Sequence, residues 1–418
     1  MKLFSRQLGV ALVAALAACT TIQAPLSFTP VDGAKPTLIL ISIDGFRPGF
    51  LERSLTPTMS RLAAEGVVAR QGMRPAFPAL TFPSHYSMVT GLHPDRHGIV
   101  NNNMSDAMIP GISFSLGNRA AVQDRRWWDA ATPIWVSAEQ QGIRTATMFW
   151  PGSEAPVQGV RPSEWRQYDS SFPAEARVDE VLGWLDRPLA TRPAFITLYF
   201  DNVDTAGHRH GPDSVQNADA IRLVDNAIKR LVDGLTARGR INTTNLVIVS
   251  DHGMAPTSKE RVVWLDEIID ANAVVPFGNG GPFIGITPVP GKEVEITRAL
   301  QVPHAHLQCW PKANLPARFD YGRNPRVQPI ICLADAGWWI STHALAERTP
   351  PSGGAHGFDP DDPLMTALFM AHGPAFRAGQ SLDRINTVDV YPLLAKLTGV
   401  RPLPNQGSLA IFANVLQP

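Results

Sequence analysis

The chain has 418 residues, 44% hydrophobic and 18% charged, enough for one large domain or two ordinary ones with a sizeable core. Lys and Arg together number 37, and so do Asp and Glu, so the formal net charge is zero. That balance excludes a surface that coats nucleic acid, which needs a basic excess to displace counterions from phosphates. Any phosphate chemistry here has to use localised charge, and bound metals are the direct way to supply it.

The N-terminus reads as a targeting segment. Lys2 and Arg6 precede an apolar run from Leu8 to Ala18 that is too short to cross a bilayer comfortably. Leu16-Ala17-Ala18-Cys19 has the form of a bacterial lipobox. Residues 1–18 are therefore expected to be a lipoprotein-type signal peptide, with Cys19 the lipidated N-terminus of the mature chain. An ordinary small-residue cleavage site with a chance cysteine is the alternative. Thr20 follows with no Asp beside the cysteine, so the expected location is the periplasm, with an anchor in the outer membrane. Residues 19–35, rich in Pro and Thr, read as a tether, and residues 36–418 as the catalytic domain. After processing, Cys309 and Cys332 remain, and in an oxidising compartment they form one disulfide or stay as two buried thiols.

Thr37–Ile43 is a continuous apolar run of strand length, suited to a parallel strand buried on both faces. Residues 57–66 have helical periodicity and end at Gly66, a suitable C-cap. Further apolar runs lie at Thr145–Trp150, Ala194–Phe200, Leu246–Ser250 and Ala367–Ala371, separated by helical stretches that include 214–238 and 388–398. The alternation predicts an α/β fold with a mostly parallel sheet covered on both faces. Residues 260–350 have weaker periodicity and read as a small subdomain inserted between two core strands.

Asp44, Asp204 and Asp251 each follow the end of an apolar run. In open α/β sheets the carboxyl ends of the strands line a common crevice, so these three carboxylates are expected to converge. Five stretches carry the chemistry: Ser42-Ile-Asp44-Gly-Phe-Arg47, Thr81-Phe-Pro-Ser-His85-Tyr, Asp204-Thr-Ala-Gly-His208, Asp251-His252-Gly-Met and Gly353-Gly-Ala-His356-Gly. Carboxylates mixed with imidazoles suit zinc better than magnesium or calcium. Asp204 and His208 are spaced to share one metal from a loop or helical turn, and Asp251-His252 puts adjacent ligands at a strand end. Taken singly, each has a plainer reading as a helix cap, a turn former or an i,i+4 surface pair. Their combination, in this order and flanked by glycine, favours a metal site.

The set resembles the alkaline phosphatase superfamily and, within it, the nucleotide pyrophosphatase/phosphodiesterase family, from about residue 36 onward. Its most specific part is the Thr-Phe-Pro-Ser-His stretch followed by Gly91-Leu-His-Pro-Asp-Arg-His97-Gly98-Ile-Val-Asn-Asn102. The resemblance implies an alkaline-phosphatase-like α/β/α sandwich and two zinc ions. One zinc would be held by Asp204, His208 and His356, the other by Asp44, Asp251 and His252, with the oxygen of Thr81 also bound to it. It implies Thr81 as nucleophile, Asn102 as a hydrogen-bond donor to a phosphate oxygen, and Phe82, Tyr168 and Tyr199 around a nucleobase.

The expected reaction is hydrolysis of nucleotide phosphodiester or phosphoanhydride bonds through a covalent Thr81 intermediate, releasing 5′-mononucleotides. A phosphomonoesterase on the same scaffold is the nearest rival, but its dianionic substrate favours a bidentate guanidinium, and these motifs aim none at the phosphate. A sulfatase would need an oxidisable cysteine or serine where Thr81 stands. Lipid-headgroup phosphodiesters remain an alternative substrate class, because aromatic walls also attract choline-type cations. A non-catalytic zinc- or nucleotide-binding lipoprotein is a remote third reading. His85, His93, His97 and His210 read as satisfied loop histidines, Trp127-Trp128 as core packing, and His304 and His306 as lacking partners for a metal.

Overall fold

The computed structural model describes residues 36–348, 351 and 353–418; Cys19, the expected signal peptide and the tether lie outside the described residues. Thr37–Ile43 (β1) is the strand its apolar run predicts. Leu38 and Leu40 pack into one core and Ile39, Ile41 and Ile43 into another, all fully buried. A strand covered on both faces has to be apolar throughout, and each such side chain contributes about 1.5–3 kcal/mol by leaving water.

Ten further strands are relevant. In chain order they are Val67–Ala69 (β2), Thr145–Met148 (β3), Glu164–Arg166 (β4), Phe195–Phe200 (β5), Thr244–Val249 (β6), Phe283–Ile286 (β7), Leu307–Pro311 (β8), Ile330–Ala334 (β9), Phe369–His372 (β10) and Gln380–Leu382 (β11). Eight form one sheet in the order β11-β2-β10-β6-β1-β5-β3-β4. β6, β1, β5, β3 and β4 run parallel, and β10 runs antiparallel to both of its neighbours. Six helices are needed to describe the layers: Pro57–Glu65 (α1), Thr81–Thr90 (α2), Ala174–Leu185 (α3), Asn202–His210 (α4), Val215–Ala237 (α5) and Val390–Thr398 (α6). α2 and α6 cover one face of the sheet, and α1, α3 and α5 the other, completing the expected α/β/α sandwich.

One local expectation holds and one needs correction. Gly66 does occupy the C-cap of α1, but with φ −117° and ψ −129° it is not left-handed. Glycine is required there for space, because a Cβ would lie 2.1 Å from the carbonyl oxygen of Ala371. The run Thr145–Trp150 forms a strand only to Met148, since Phe149 turns the chain with φ +58°. That turn throws residues 150–154 across the carboxyl edge of the sheet.

Between β6 and β10, neighbours in the main sheet, the chain builds a separate antiparallel sheet in the order β7-β9-β8 with its own core cluster. Cys309 and Cys332 face each other across β8 and β9 and are joined by a disulfide. Elsewhere, buried Asp225 of α5 accepts hydrogen bonds from the backbone N–H groups of Thr58 and Met59, at 3.1 and 2.8 Å. It caps α1 from a neighbouring helix, in the place where Thr56 supplies no side-chain cap.

Candidate active site

Strand ends and helix starts deliver the site. Asp44 is the first residue beyond β1, Asp251 and His252 come two and three residues after β6, and Asp204 lies in the first turn of α4, just past β5. His208 is one helical turn further on, so the spacing predicted for a shared metal is realised on a helix. His356 comes from the far side, directly after the two-residue strand Gly354–Ala355. Close approach explains two of the glycines. Gly45, at φ +69°, would bring a Cβ to 3.1 Å from the Cα of Asp204, and Gly353, at φ +68°, to 2.1 Å from the carbonyl oxygen of His208.

Three carboxylate oxygens meet there without partners. Asp44 Oδ1, Asp204 Oδ1 and Asp251 Oδ2 are buried and accept no hydrogen bond among the described residues. Ligand atoms of Asp44, Asp251 and His252 lie within 4.8 Å of one another, and so do those of Asp204, His252 and His356. His208 stands outside both groups, with its Nε2 3.4 Å from Asp204 Oδ1 and its ring half exposed. The histidines are oriented alike. His252 Nδ1 faces the carbonyl of Gly253 at 2.9 Å, His356 Nδ1 that of Ala79 at 2.9 Å, and His208 Nδ1 that of Gly354 at 2.8 Å. A carbonyl can only accept, so each Nδ1 carries a proton and each Nε2 lone pair is free to point at the carboxylates.

Lone pairs facing orphaned carboxylates repel unless a cation lies between them. His252 Nε2 is 2.9 Å from Asp251 Oδ2 and 3.4 Å from Asp44 Oδ1, and its ring stacks on His356 with centroids 3.5 Å apart. Burial, then the charges of Asp251 and Asp204, push the Asp44 carboxyl well above its ordinary range. Burial likewise raises Asp204. Burial also acts against charge on Asp251, and with no cation between them it is the protonated forms of His252 and His85 that would hold that carboxyl well below the usual value. His356 is pushed well below the ordinary imidazole value by burial and by His252 and His208. Desolvated carboxylates, available Nε2 atoms and fixed tautomers fit divalent metal, and the oxygen–nitrogen donor set fits zinc.

Thr81 opens α2, with its Oγ1 3.4 Å from His252 Nε2, so the positive end of the helix faces the same cluster. Asn102 accepts from the backbone N–H of Phe82 at 2.9 Å through Oδ1. Its Nδ2 has no protein partner among the described residues and is left to donate elsewhere. A cavity of about 200 Å³ leads away from Thr81, Asp44 and Asp204. Phe82, Tyr168 and Tyr199 all line it, but the two tyrosines differ. Tyr168 presents a part-exposed ring and donates to Asp201 Oδ2 at 3.0 Å, whereas buried Tyr199 donates to Asp44 Oδ2 at 2.6 Å. Tyr199 thus braces a candidate metal ligand as well as forming a wall.

Sequence reasoning passed over several residues of the site. Glu154 lines the cavity and accepts from the Tyr168 backbone N–H, and Asp201 lines it while paired with fully buried Arg177 at 2.7 Å. Both acids follow strands of the main sheet, the same signal that picked out Asp44. His85 is satisfied, as expected, but it is fully buried on helix α2 beside the site and not in a loop. His97 is buried and hydrogen-bonded to Ser87 at 2.9 Å, His304 contacts a backbone carbonyl, and His306 stacks on Trp338. Trp127 and Trp128 are core residues, with Trp128 packed against Phe82.

A mostly parallel α/β/α sheet whose carboxyl edge carries this Asp/His cluster and a helix-capped hydroxyl is an alkaline-phosphatase-like fold. The family model described as type I phosphodiesterase / nucleotide pyrophosphatase matches residues 38–359, and the chain belongs to that family. It is 35% identical over 397 residues to a venom phosphodiesterase of Crotalus durissus collilineatus, covering 93% of this chain and 47% of that protein. It is 36% identical over 413 residues to ectonucleotide pyrophosphatase/phosphodiesterase family member 1 of Rattus norvegicus, covering 96% of this chain and 44% of that protein. The chain thus spans about half the length of the curated relatives it matches. Among solved structures, an inactive variant of murine ectonucleotide pyrophosphatase/phosphodiesterase 5 in complex with AMP superposes with a TM-score of 0.86 at 32% identity, covering 92% of this chain and 100% of that one.

Proposed function

We propose that the protein is an exported, zinc-dependent phosphodiesterase and nucleotide pyrophosphatase that releases 5′-mononucleotides through a covalent Thr81 intermediate. The observation that carries this reading is the Thr81 hydroxyl at the start of α2, between the Asp/His cluster and the aromatic-walled cavity. Asp204, His208 and His356 would hold one zinc, and Asp44, Asp251 and His252 the other, together with the Thr81 oxygen. When bound, the two ions supply positive charge against the phosphate and lower the pKa of the threonine hydroxyl.

The chain's own residues do the rest. The Thr81 alkoxide attacks phosphorus and forms a Thr–O–P bond, while the bond to the leaving oxygen breaks and that oxygen keeps the electron pair and takes a proton from solvent. Water then cleaves the Thr–O–P bond, freeing the 5′-mononucleotide and restoring the hydroxyl, and the two inversions give net retention. Asn102 Nδ2 donates to a non-bridging oxygen, a neutral contact suited to a monoanionic diester. No Lys or Arg lines the cavity among the described residues, which disfavours a dianionic monoester. Phe82 and Tyr168 offer flat faces to a base. The AMP bound by the murine relative supports a nucleotide over a lipid headgroup. The disulfide supports export to an oxidising compartment, with anchoring through Cys19 as the proposed route.

The deciding experiment compares a thymidine 5′-phosphodiester with a phosphomonoester chromogen at mildly alkaline pH, with and without zinc, for wild type and Thr81→Ala. Diester preference that disappears on chelation and in Thr81→Ala is the expected result. Preference for the monoester would overturn the reading.

A further inference from the structure

We infer that His85 is a positioning residue that locks the peptide unit carrying the nucleophile, and that it does so without binding metal. His85 lies one turn after Thr81 in α2, where a helical side chain leans back over the preceding turn. Its Nδ1 is 2.8 Å from the Thr81 carbonyl oxygen, and its Nε2 is 2.8 Å from Ser42 Oγ on β1. Because the carbonyl only accepts, Nδ1 carries the proton, and Nε2 faces a hydroxyl able to donate to it. This separates His85 from His208, His252 and His356, whose Nε2 atoms are left available. Asp251 Oδ2 lies 3.4 Å from the same Nδ1, and Trp150 and Tyr199 pack edge-on against the ring at 4.9 and 5.3 Å.

The Thr81–Phe82 peptide is a rigid plane that contains the Thr81 Cα. His85 holds its carbonyl end, and Asn102 Oδ1 holds its N–H end at 2.9 Å. With both ends held, motion of the Thr81 Cα is restricted, and the stiff χ1 of a β-branched residue leaves Oγ1 little further freedom. Ser42 and Asp251 tie the clamp to the two strands that deliver Asp44 and Asp251, so nucleophile and candidate metal ligands share one frame.

The inference rests on Thr81 acting as the nucleophile, which loss of diester hydrolysis in Thr81→Ala tests separately. His85→Gln is expected to lower kcat about 100-fold, the cost of misplacing a reacting atom by about 1 Å, with KM changed by less than about threefold. His85→Asn, whose side-chain N–H sits near the lost Nδ1, is expected to recover most of that loss. Zinc stoichiometry should stay unchanged in both variants. Amide hydrogen exchange over residues 81–90, read with no substrate present, should quicken in His85→Gln and remain slow in His85→Asn. Unchanged exchange and kcat in His85→Gln would overturn the inference. So would equal loss in both variants accompanied by loss of zinc, which would make His85 a structural or ligand residue instead.

Discussion

Two buried carboxylate environments in this protein differ in what their oxygens meet. Between α5 and α1, Asp225 gives both oxygens to backbone N–H groups and is fully satisfied. At the carboxyl edge of the sheet, Asp44, Asp204 and Asp251 each keep an oxygen without a partner among the described residues; Asp44 and Asp251 cluster with His252, and Asp204 clusters with His252 and His356. The histidines show the same contrast. His97 has both nitrogens engaged by protein, whereas His252 and His356 anchor Nδ1 on a carbonyl and leave Nε2 facing carboxylates. Burial of a polar group is therefore not the functional signal. The signal is burial left unsatisfied, because a fold retains that cost only where something else completes the shell.

The contrast can be broken most severely at Thr81, the proposed nucleophile. Thr81→Ala is expected to lower kcat for a phosphodiester by more than about 10³-fold with little change in melting temperature, measured by initial rates and thermal denaturation. Wild-type melting behaviour under these conditions would confirm that the hydroxyl serves chemistry and not packing.

Metal removal separates the two carboxylate environments. Chelation should destabilise the wild type by about 4 kcal/mol relative to protein held at a thousandfold excess of zinc over its dissociation constant. Asp44→Asn should abolish most of that zinc-dependent shift, while the chelated variant is at least as stable as chelated wild type, since a repelling buried charge has gone. Asp225→Asn should instead cost about 1–3 kcal/mol equally with and without zinc, because it leaves helix N–H groups poorly paired. An Asp225→Asn effect that depends on zinc would erase the distinction.

The satisfied histidine predicts a pH dependence. Burial, then the charge of His93, lowers His97 from 6.5 to about 3. The Ile99 N–H donates to its Nδ1 at 3.1 Å, so a second ring proton has no place. Between these two values the unfolded chain binds the proton and the folded protein does not. Stability from this group is full above about pH 6.5 and falls as pH drops toward 3, by at most about 1.4 kcal/mol per unit. Denaturant titrations from pH 7 to pH 4 should show a shallower slope in His97→Asn, and an unchanged slope would mean that the folded protein protonates His97.

The smallest effect is expected at the cavity wall. Tyr168→Phe loses one hydrogen bond to Asp201, worth about 1 kcal/mol, and should raise KM about fivefold with kcat nearly unchanged. A fall in kcat at constant KM would place the Tyr168 hydroxyl nearer the reacting atoms than its bond to Asp201 implies.

Much of the site was readable from local rules. A buried parallel strand has to be apolar on both faces, so the end of each run marked where Asp44, Asp204 and Asp251 would emerge. The i,i+4 spacing likewise allowed Asp204 and His208 to come from a loop or a helical turn, and α4 realises the helical turn. The need for glycine at 66 and the early end of β3 at Met148 have the opposite character, since a carbonyl on β10 and a turn at Phe149 decide them.

Sequence by itself determined the core strands and the family, and it marked the candidate ligands and the candidate nucleophile, because side-chain period and motif spacing act over a few residues. Only the tertiary structure decided that His85 clamps Thr81 to Ser42, that Tyr199 braces Asp44, that Arg177 and Asp201 back the cavity, and that Cys309 meets Cys332. Those contacts depend on β1 lying between β5 and β6, and on which side of β9 the strand β8 adds. Sheet order is set by how all the layers bury their surfaces together, and no local period encodes it.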